Sequence, residues 1–349
     1  MRGWRRNRRP PRLDWVQIEV TSRCTAACLY CPRTALEPRW RHRDVAPGLV
    51  LDLLPSLRRV RHVHLQGWGE PLLHPSFFDM AAWLSEAGCR VGTTTNGALL
   101  DRSAARAVVG AGVDVVALSV AGADDEANDP LRGGTSLEQV VAAARALAEA
   151  RGGRSRPRIH LAYMLLRSGL GSVEGLPGLV ERSGAEEVVV STLGLAFTPE
   201  LARETVVADG EGALGELRAR LARVEEAVGA LGARLHFRVL SHLAPPGTCA
   251  DNPARSVFVG ADGRVHPCVV LGLPVEGPVE RFSWDGRAVV RPTTLGDLRF
   301  ESLDGIWRRP ESRDFRRRAR SASPSPGCAT CPKRREVSVE PPVDLVPPV

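Results

Sequence analysis

Short apolar runs alternate with segments of helical apolar spacing through the first 240 residues of the chain. The runs that predict strands are 15–20, 63–66, 90–95, 113–120, 159–165 and 188–193, and the helical segments are 47–59, 76–87, 102–110, 136–150 and 173–183. Strands separated by helices in this way predict a parallel sheet, because each return to the same edge needs a crossover. The sequence therefore predicts an α/β fold whose parallel sheet is either doubly wound or curled into a partial barrel.

Three cysteines, Cys24, Cys28 and Cys31, lie within eight residues directly after the first predicted strand. Thiolates this close together on one loop can converge on a soft metal centre. Their odd number and short spacing disfavour disulfides. Three ligands are one fewer than the four that normally close a zinc or iron–sulfur site. We therefore expect a metal site with one position left for another ligand, and a structural zinc completed by His42 is the alternative.

Glycine-rich or polar residues follow several of the predicted strands. These residues are Gly67, Gly69 and Glu70 after the second strand, Asn96 after the third, Ser119 near the end of the fourth and Leu193 at the end of the sixth. In parallel α/β folds the ligand sites lie at the carboxyl ends of the strands, and glycine there lets the backbone approach a ligand closely. The cysteine loop leaves the same edge of the sheet. The sequence therefore predicts one binding site at this edge.

The four cysteines Cys249, Cys268, Cys328 and Cys331 lie in the C-terminal part of the chain. An Asp-Gly turn at 261–263, between apolar runs, predicts a hairpin that brings Cys268 back beside Cys249. Zinc is less favoured than in a zinc ribbon, because this hairpin splits the first cysteine pair. A redox dithiol at Cys328 and Cys331 stays open, although no βαβ pattern surrounds it.

Length and charge limit the other function classes. The 349 residues have room for about two domains, and we divide them into a basic arm (1–13), a core (14–240), a second cysteine-bearing segment (241–336) and a proline-rich tail (337–349) expected to be disordered. The net charge of +7 includes six arginines of the arm, so the rest carries only 7 − 6 = +1. The arm and a second basic run after Arg313 are interpreted as solvated surfaces, and a nucleic-acid partner is not favoured. The sequence shows neither a signal peptide nor a transmembrane segment, which predicts a reducing cytoplasm and no membrane partner.

The cysteine motif and the strand-end motifs together resemble the radical S-adenosylmethionine (SAM) enzymes over about residues 14–240. The resemblance rests on the Cys-x3-Cys-x2-Cys loop, the GWGEP and TTTNG stretches and the segment from LSVAG to RGG. It implies a partial (β/α)6 TIM-like barrel. It also implies that Cys24, Cys28 and Cys31 bind three irons of a [4Fe–4S] cluster whose open fourth iron binds SAM.

Further residue roles follow from the same resemblance. It places Tyr30 and Leu193 near the adenine, Gly67, Gly69 and Glu70 at the methionyl amino group, and Ser119 and Arg132 at the ribose and carboxylate, with Asn96 among the SAM contacts. Three of these residues keep structural alternatives. The alternative for Tyr30 is a core aromatic, and the alternative for Glu70 is a turn cap. The alternative for Arg132 is an ion pair with Asp124, Asp125 or Asp129.

The C-terminal cysteines resemble the short "twitch" form of the SPASM extension, a small C-terminal iron–sulfur domain. The resemblance implies that Cys249, Cys268, Cys328 and Cys331 bind one auxiliary [4Fe–4S] cluster with four protein ligands, which suits electron relay. Sulfatase-maturing relatives place an acid directly after the cysteine equivalent to Cys268, where this chain has Val269. Other proton acceptors in this segment are Asp251, His266, Glu276 and Asp285, and spacing favours none of them.

The implied activity is reductive cleavage of SAM to a 5′-deoxyadenosyl radical that abstracts hydrogen from an organic substrate, with the auxiliary cluster relaying an electron. The net reaction expected is an oxidation, such as dehydrogenation of a small alcohol, by a radical SAM oxidoreductase. The alternatives are modification of a peptide or protein, maturation of a cofactor, and a non-catalytic iron–sulfur or zinc protein. The expected partners are a small-molecule or peptide substrate and a reductant such as flavodoxin or ferredoxin.

Overall fold

A long, mostly parallel sheet organises the molecule in the computed structural model, which describes residues 12–208, 210–242, 249, 251–284, 286–321 and 323–338. The strands are β1 (Trp15–Ile18), β2 (His62–Leu65), β3 (Arg90–Thr95), β4 (Val115–Val120), β5 (Arg158–Leu165), β6 (Glu187–Thr192), β7 (Val207–Ala208), β8 (Arg234–Ser241), β9 (Ser256–Val259), β10 (Arg264–His266), β11 (Val279–Ser283), β12 (Gly286–Val290), β13 (Gly296–Asp297) and β14 (Glu336–Ser338). The helices are α1 (Pro32–Ala35), α2 (Pro47–Leu57), α3 (Phe77–Glu86), α4 (Arg102–Gly110), α5 (Asp125–Arg132), α6 (Leu137–Arg151), α7 (Leu176–Ser183), α8 (Pro199–Arg203), α9 (Gly210–Ala230), α10 (Leu303–Arg308), α11 (Pro310–Ala319) and α12 (Pro326–Ala329).

The strand order of the main sheet is β13-β10-β9-β1-β2-β3-β4-β5-β6-β8-β14. Adjacent strands from β9 through β1 to β6 and β8 are parallel to one another. Residues from the carboxyl ends of β1 to β6 all line one cavity, which a flat sheet with about 4.8 Å between strands does not permit. The sheet therefore curls, and the predicted α/β fold of the partial-barrel type is confirmed.

Most predicted elements are present with shifts of one or two residues at their ends. Strand 90–95 and helix 102–110 match β3 and α4, whereas the predicted strand at 113–120 begins only at Val115. Helix α5 was not predicted, because its sequence is mostly polar and contains Pro130. Asp124 caps it, accepting from the backbone N–H of Ala127 at 2.8 Å. Tertiary packing at the cysteine loop, described below, accounts for a helix that local propensity disfavours.

The C-terminal segment completes both edges of the sheet instead of folding beside it. Strand β9 pairs in parallel with β1, with Ser256 opposite Trp15. Strand β14 pairs in antiparallel fashion with β8, with Val337 opposite Val239. The boundary predicted between 240 and 241 lies inside β8. The smaller β11–β12 hairpin forms a sheet of its own.

The charged termini and the basic helix behave differently. The arm up to residue 11 and the tail from residue 339 lie outside the described residues. The second basic run falls on α11, where Arg317 and Arg318 pair with Asp314. Arg316, however, is buried over the ring of Trp307 at 3.9 Å, so this face is only partly solvated, contrary to the prediction. Among the described helices, none combines the length and apolar character needed to cross a bilayer.

Candidate active site

The loop that bears the first three cysteines is held in place by the end of α5. The backbone N–H of Ala27 donates to the carbonyl of Gly133 at 2.6 Å, and Leu29 N–H donates to the carbonyl of Leu131 at 3.0 Å. Gly133 has a φ of +44°, and a Cβ at this position would lie 2.6 Å from the carbonyl oxygen of Ala27. Only glycine tolerates both the conformation and the contact. The end of helix α5 therefore positions this loop.

The three thiols of the loop are free and mostly shielded from water. Cys28 is buried, and its Sγ lies 3.3 Å from the carbonyl oxygen of Arg132. Burial raises the pKa of Cys24 above its ordinary value and that of Cys31 to about 12. A buried thiolate is stable only beside positive charge, which iron supplies. The donor set therefore fits an iron–sulfur cluster held by Cys24, Cys28 and Cys31.

Glu70 joins the ends of β2 and β3 in a network of hydrogen bonds. Its carboxylate accepts from Thr95 Oγ1 at 2.6 Å, from Asn96 N–H at 2.7 Å and from Leu72 N–H at 3.2 Å. The last bond confirms the turn-cap reading without excluding a ligand role. Asn96 Nδ2 in turn donates to Thr25 Oγ1 at 2.9 Å and lies 3.7 Å from Cys24 Sγ. Glu70 thus fixes Asn96 against the cysteine loop.

Tyr30 and Arg132 form the opposite side of the loop. Arg132 Nη1 donates to Tyr30 Oη at 2.7 Å, and Arg132 is only 4% exposed. The hydrogen bond to Tyr30 replaces the predicted alternative of a pair with a nearby aspartate of α5. Arg132 Nε is buried without a hydrogen-bond partner among the described residues, so it has a free donor for a ligand. Leu193 packs in a small apolar cluster that Tyr30 covers.

The glycines Gly67 and Gly69 allow close packing between two loops and also line the cavity described below. A side chain on Gly67 would overlap the side chain of Glu19, and one on Gly69 would overlap the carbonyl groups of Thr21 and Arg23. Both glycines line the cavity, but the space next to their α-carbons is already filled. They allow the loop after β2 to lie directly on the loop after β1.

One cavity of about 1040 Å³, including its open mouth, collects nearly all of these residues. The predicted site residues that line it are Cys24, Cys28, Tyr30, Cys31, Gly67, Gly69, Glu70, Asn96, Ser119, Arg132 and Leu193. Its far wall is formed by Val269, Val270 and Lys333 of the C-terminal segment. The sequence therefore predicted which strand ends meet, and the structure adds the wall opposite them.

The four C-terminal cysteines lie close enough to one another to interact electrostatically, and Cys268 directly precedes Val269 of that wall. They are free thiols, and electrostatic interactions link Cys249 with Cys331 and Cys268, and Cys328 with Cys268 and Cys331. Burial raises the pKa of all four, that of Cys328 to about 11. As at the first site, buried thiols with this donor chemistry fit an iron–sulfur cluster.

Trp68 connects the two sites directly. Its indole Nε1 donates to the carbonyl of Val269, the residue after Cys268, at 3.2 Å. Its backbone N–H donates to Glu19, a carboxylate that is 1% exposed and also accepts from Ala261 N–H at 3.3 Å. The loop after β2 is therefore bonded to the segment after β10 and, through Glu19, is linked to the turn between β9 and β10.

The candidate proton acceptors of the C-terminal segment differ in placement. Asp251 is bonded to Lys333, whereas Glu276 is exposed and paired with Arg41. His266 bonds the carbonyl of Thr293 through Nδ1 at 2.9 Å. Asp285 lies outside the described residues. Val269 lines the cavity, so the position that is acidic in sulfatase-maturing relatives is apolar here.

The zinc alternative has no assembled site in the structure. Across the described residues, no three His, Cys, Asp or Glu side chains, the cysteines of both sites included, are arranged to hold a single metal ion.

Two family comparisons match the two halves of this arrangement. The radical SAM superfamily matches residues 18–167, and the SPASM iron–sulfur cluster-binding domain matches residues 249–332. Residues 18–167 are therefore a radical SAM domain, and residues 249–332 are a SPASM domain. The protein's cofactors are SAM, the [4Fe–4S] cluster that binds it and auxiliary iron–sulfur chemistry in the SPASM domain.

Among curated proteins, this radical SAM protein is 24% identical to a tungsten-containing aldehyde ferredoxin oxidoreductase cofactor-modifying protein of Pyrococcus furiosus, over 84% of this chain and 81% of the relative. It is 37% identical to the GTP 3′,8-cyclase of Chlorobaculum tepidum over 37% of this chain and 39% of the relative. It is 26% identical to the mycofactocin maturase MftC of Mycobacterium ulcerans over 50% of this chain and 45% of the relative. The chain spans less than half the length of the latter two.

Solved structures confirm the fold. SuiB of Streptococcus suis bound to S-adenosylmethionine superposes with a TM-score of 0.64 at 15% identity, over 93% of this chain and 71% of that one. The anSMEcpe structure with bound AdoMet superposes with a TM-score of 0.62 at 16% identity, over 86% of this chain and 82% of that one.

Two residues of the site were not predicted from the sequence. Glu19 appears in the sequence as an acid inside an apolar run, which is a usable signal for a buried polar contact. Lys333 stands out only as the chain's single lysine. Neither signal shows by itself where in the fold the residue lies.

Proposed function

We propose that this protein cleaves SAM reductively and abstracts a hydrogen atom from a substrate held between its two cysteine sites. The observation that carries this proposal is the shared cavity, because one wall bears Cys24, Cys28 and Cys31 and the other bears Val269, which follows Cys268. When bound, SAM and its cluster supply a 5′-deoxyadenosyl radical, and the auxiliary cluster supplies an electron acceptor for a net oxidation. A substrate in this cavity lies next to both sites.

The protein's own contribution is to position and shield the reacting groups. We assign Asn96, held by Glu70, to the cysteine and SAM side of the cavity. The free Nε donor of Arg132 supports a polar contact to SAM, and Tyr30 fixes the orientation of that guanidinium. Val269 and Val270 add apolar surface beside Lys333, which limits the water that can reach the cavity.

The relatives favour a peptide or a cofactor precursor as the substrate. Their names describe a cofactor-modifying protein, a mycofactocin maturase and, at 33% identity over 135 residues, a PqqA peptide cyclase. Dehydrogenation of a small alcohol is the second candidate, favoured by the closed four-cysteine auxiliary site next to the cavity. We further propose that a flavodoxin or ferredoxin delivers the electron for SAM cleavage.

Formation of 5′-deoxyadenosine tests the first step. The anaerobically reconstituted protein, incubated with SAM and dithionite, should form this product, and Cys24→Ala should abolish it. Cys89→Ala is the matched control, because Cys89 is a buried thiol that contacts the carbonyl of Leu57, away from both sites. An iron-loaded wild-type protein that forms no 5′-deoxyadenosine would refute the proposal.

The role of the auxiliary site needs a second comparison. Cys328→Ala should leave 5′-deoxyadenosine formation in place but prevent oxidation of a substrate, because the electron acceptor is lost. Candidate precursor peptides and small alcohols can be supplied in parallel and the products compared by mass spectrometry. If Cys328→Ala also abolished SAM cleavage, the auxiliary site would have a structural role instead.

A further inference from the structure

Lys333 is the only lysine in a chain whose other 46 of 47 basic side chains are arginine. It is 6% exposed, and its Nζ donates to Asp251 Oδ1 at 3.0 Å. Its side chain also lines the cavity shared with Cys24, Cys28 and Cys31. A lysine ammonium is compact, whereas a guanidinium is planar and needs more room. Lys333 therefore places one buried positive charge at the wall of this cavity.

The Asp251–Lys333 pair joins the two segments that build the auxiliary site. Asp251 follows Cys249 by two residues, and Lys333 follows Cys331 by two residues. Both charges also interact electrostatically with Cys249 and Cys331. Both charges thus lie within electrostatic reach of whatever the four cysteines bind.

Other charged side chains also lie near the four cysteines. Arg281 is buried and bonds Thr330 Oγ1 at 3.0 Å, next to Cys331. Arg334 is buried beside Cys328, and Glu336 lies near Lys333. Asp251 Oδ2 has no hydrogen-bond partner among the described residues, so Lys333 is the principal compensation for its charge. Removing Lys333 would leave Asp251 without its bonded cation, whereas removing Asp251 would leave Glu336 as the remaining anion near Lys333.

A cluster with four thiolate ligands is anionic and becomes more so when it is reduced. A nearby cation therefore favours its reduced form, and a nearby anion opposes it. We propose that the Asp251–Lys333 ion pair sets the reduction potential of the auxiliary cluster, with Lys333 cancelling the buried charge of Asp251. The inference rests on the proposed function only in requiring an auxiliary cluster at these cysteines. Lys333 acts on the cluster through its positive charge and does not ligate iron.

The test uses single and double variants of nearly unchanged shape in the full-length, anaerobically reconstituted protein. Lys333→Met leaves Asp251 uncompensated and should lower the midpoint potential of the auxiliary cluster. Asp251→Asn removes one of the two anions near Lys333 and should raise it. The double variant should return close to the wild-type value. A redox titration followed by electron paramagnetic resonance reports the potential, and the signal that changes when SAM is added belongs to the first cluster.

Lys333→Arg is the conservative control, since it keeps the charge and should shift the potential much less than Lys333→Met. A purely structural role of the pair predicts iron loss from both single variants alike, and that outcome would overturn the proposal. Shifts in the same direction in both single variants would also overturn it. The titration needs no turnover, so failure here is distinguishable from failure of the proposed reaction, which 5′-deoxyadenosine formation reports.

Discussion

Buried ionisable side chains at the contacts between loops decide how this site is held. Glu19 is the clearest case, because its carboxylate receives N–H groups from the loop after β2 and from the β9–β10 hairpin. Desolvation by burial raises the pKa of Glu19 to about 7, although both hydrogen bonds act to lower it. The molecule therefore keeps a group that titrates near neutral pH at the junction of its two cysteine-bearing parts.

The pKa of Glu19 predicts how stability depends on pH. In the unfolded chain the carboxyl titrates near about 4.3. Between about pH 4.3 and about pH 7 the native state holds a proton that the unfolded state has lost, so the free energy of unfolding falls as pH rises through this range. Glu19→Gln cannot ionise, so between about pH 5 and about pH 8 the wild type should lose about 2–3 kcal/mol more than this variant. Urea denaturation measures the difference.

The control for this experiment is Glu276→Gln, which removes an exposed carboxylate of the same type. It should retain the wild-type dependence of stability on pH. If Glu19→Gln followed the wild-type curve as well, the shifted titration would belong to another group.

The Tyr30–Arg132 pair gives a second prediction for single residues. Tyr30→Phe removes the acceptor of a guanidinium that is 4% exposed, and should cost about 1–3 kcal/mol of unfolding free energy. The double variant Tyr30→Phe with Arg132→Met leaves no buried charge without a partner, so it should lose less than the sum of the single variants. Additive losses, measured by chemical denaturation, would show that the two side chains act independently.

At the scale of elements, most strands could be predicted from the sequence. Helix α5 and the pairing partners of β9 and β14 could not. Strand β4, for example, is an almost continuous apolar run bounded by turns, which local sequence reveals. Helix α5 has neither signal, and only its contacts to Ala27 and Leu29 explain why it forms there. The pairings of β9 with β1 and of β14 with β8 join residues more than 90 positions apart. No local pattern encodes a partner at that distance.

Gly133 provides a prediction for the contact between α5 and the cysteine loop. Gly133→Ala adds a Cβ close to the carbonyl of Ala27 at a φ that only glycine adopts easily, so the loop must shift. The variant should lose the SAM-binding cluster and keep the auxiliary one, which leaves about four of about eight irons. Gly153→Ala is the matched control, because a Cβ there meets no other atom within 4 Å. Equal iron contents in the two variants would contradict this role of Gly133.

At the scale of the whole molecule, the two cysteine sites restrain the chain very differently. The first site spans Cys24 to Cys31, a separation of 31 − 24 = 7 residues, whereas the second spans Cys249 to Cys331, a separation of 331 − 249 = 82 residues. The entropy removed by closing a loop grows with the logarithm of its length, which favours the second site by about 2 kcal/mol. The auxiliary site also takes Cys249 from just before β9 and Cys331 from just before β14, two strands in opposite halves of the sheet.

This difference predicts the thermal effect of each cluster. Reconstitution of a variant that lacks Cys24, Cys28 and Cys31 should raise Tm by a few degrees more than reconstitution of a variant that lacks the four C-terminal cysteines. Calorimetry under anaerobic conditions, with iron content determined for each sample, measures both gains. A larger gain from the first site would show that local ordering of its loop outweighs the restraint on the long segment.

The strands β9 and β14, which cover β1 and β8, are synthesised late. Strand β1 ends at residue 18, whereas β14, which covers β8, begins at residue 336, a gap of 336 − 18 = 318 residues. At about 5–20 residues per second, the ribosome needs about 15 to 65 seconds to produce the chain between these points. Throughout that interval the nascent chain carries at least one uncovered parallel edge, which is a template for association with other chains. Efficient production of the protein therefore depends on shielding the growing chain until its last strand has emerged.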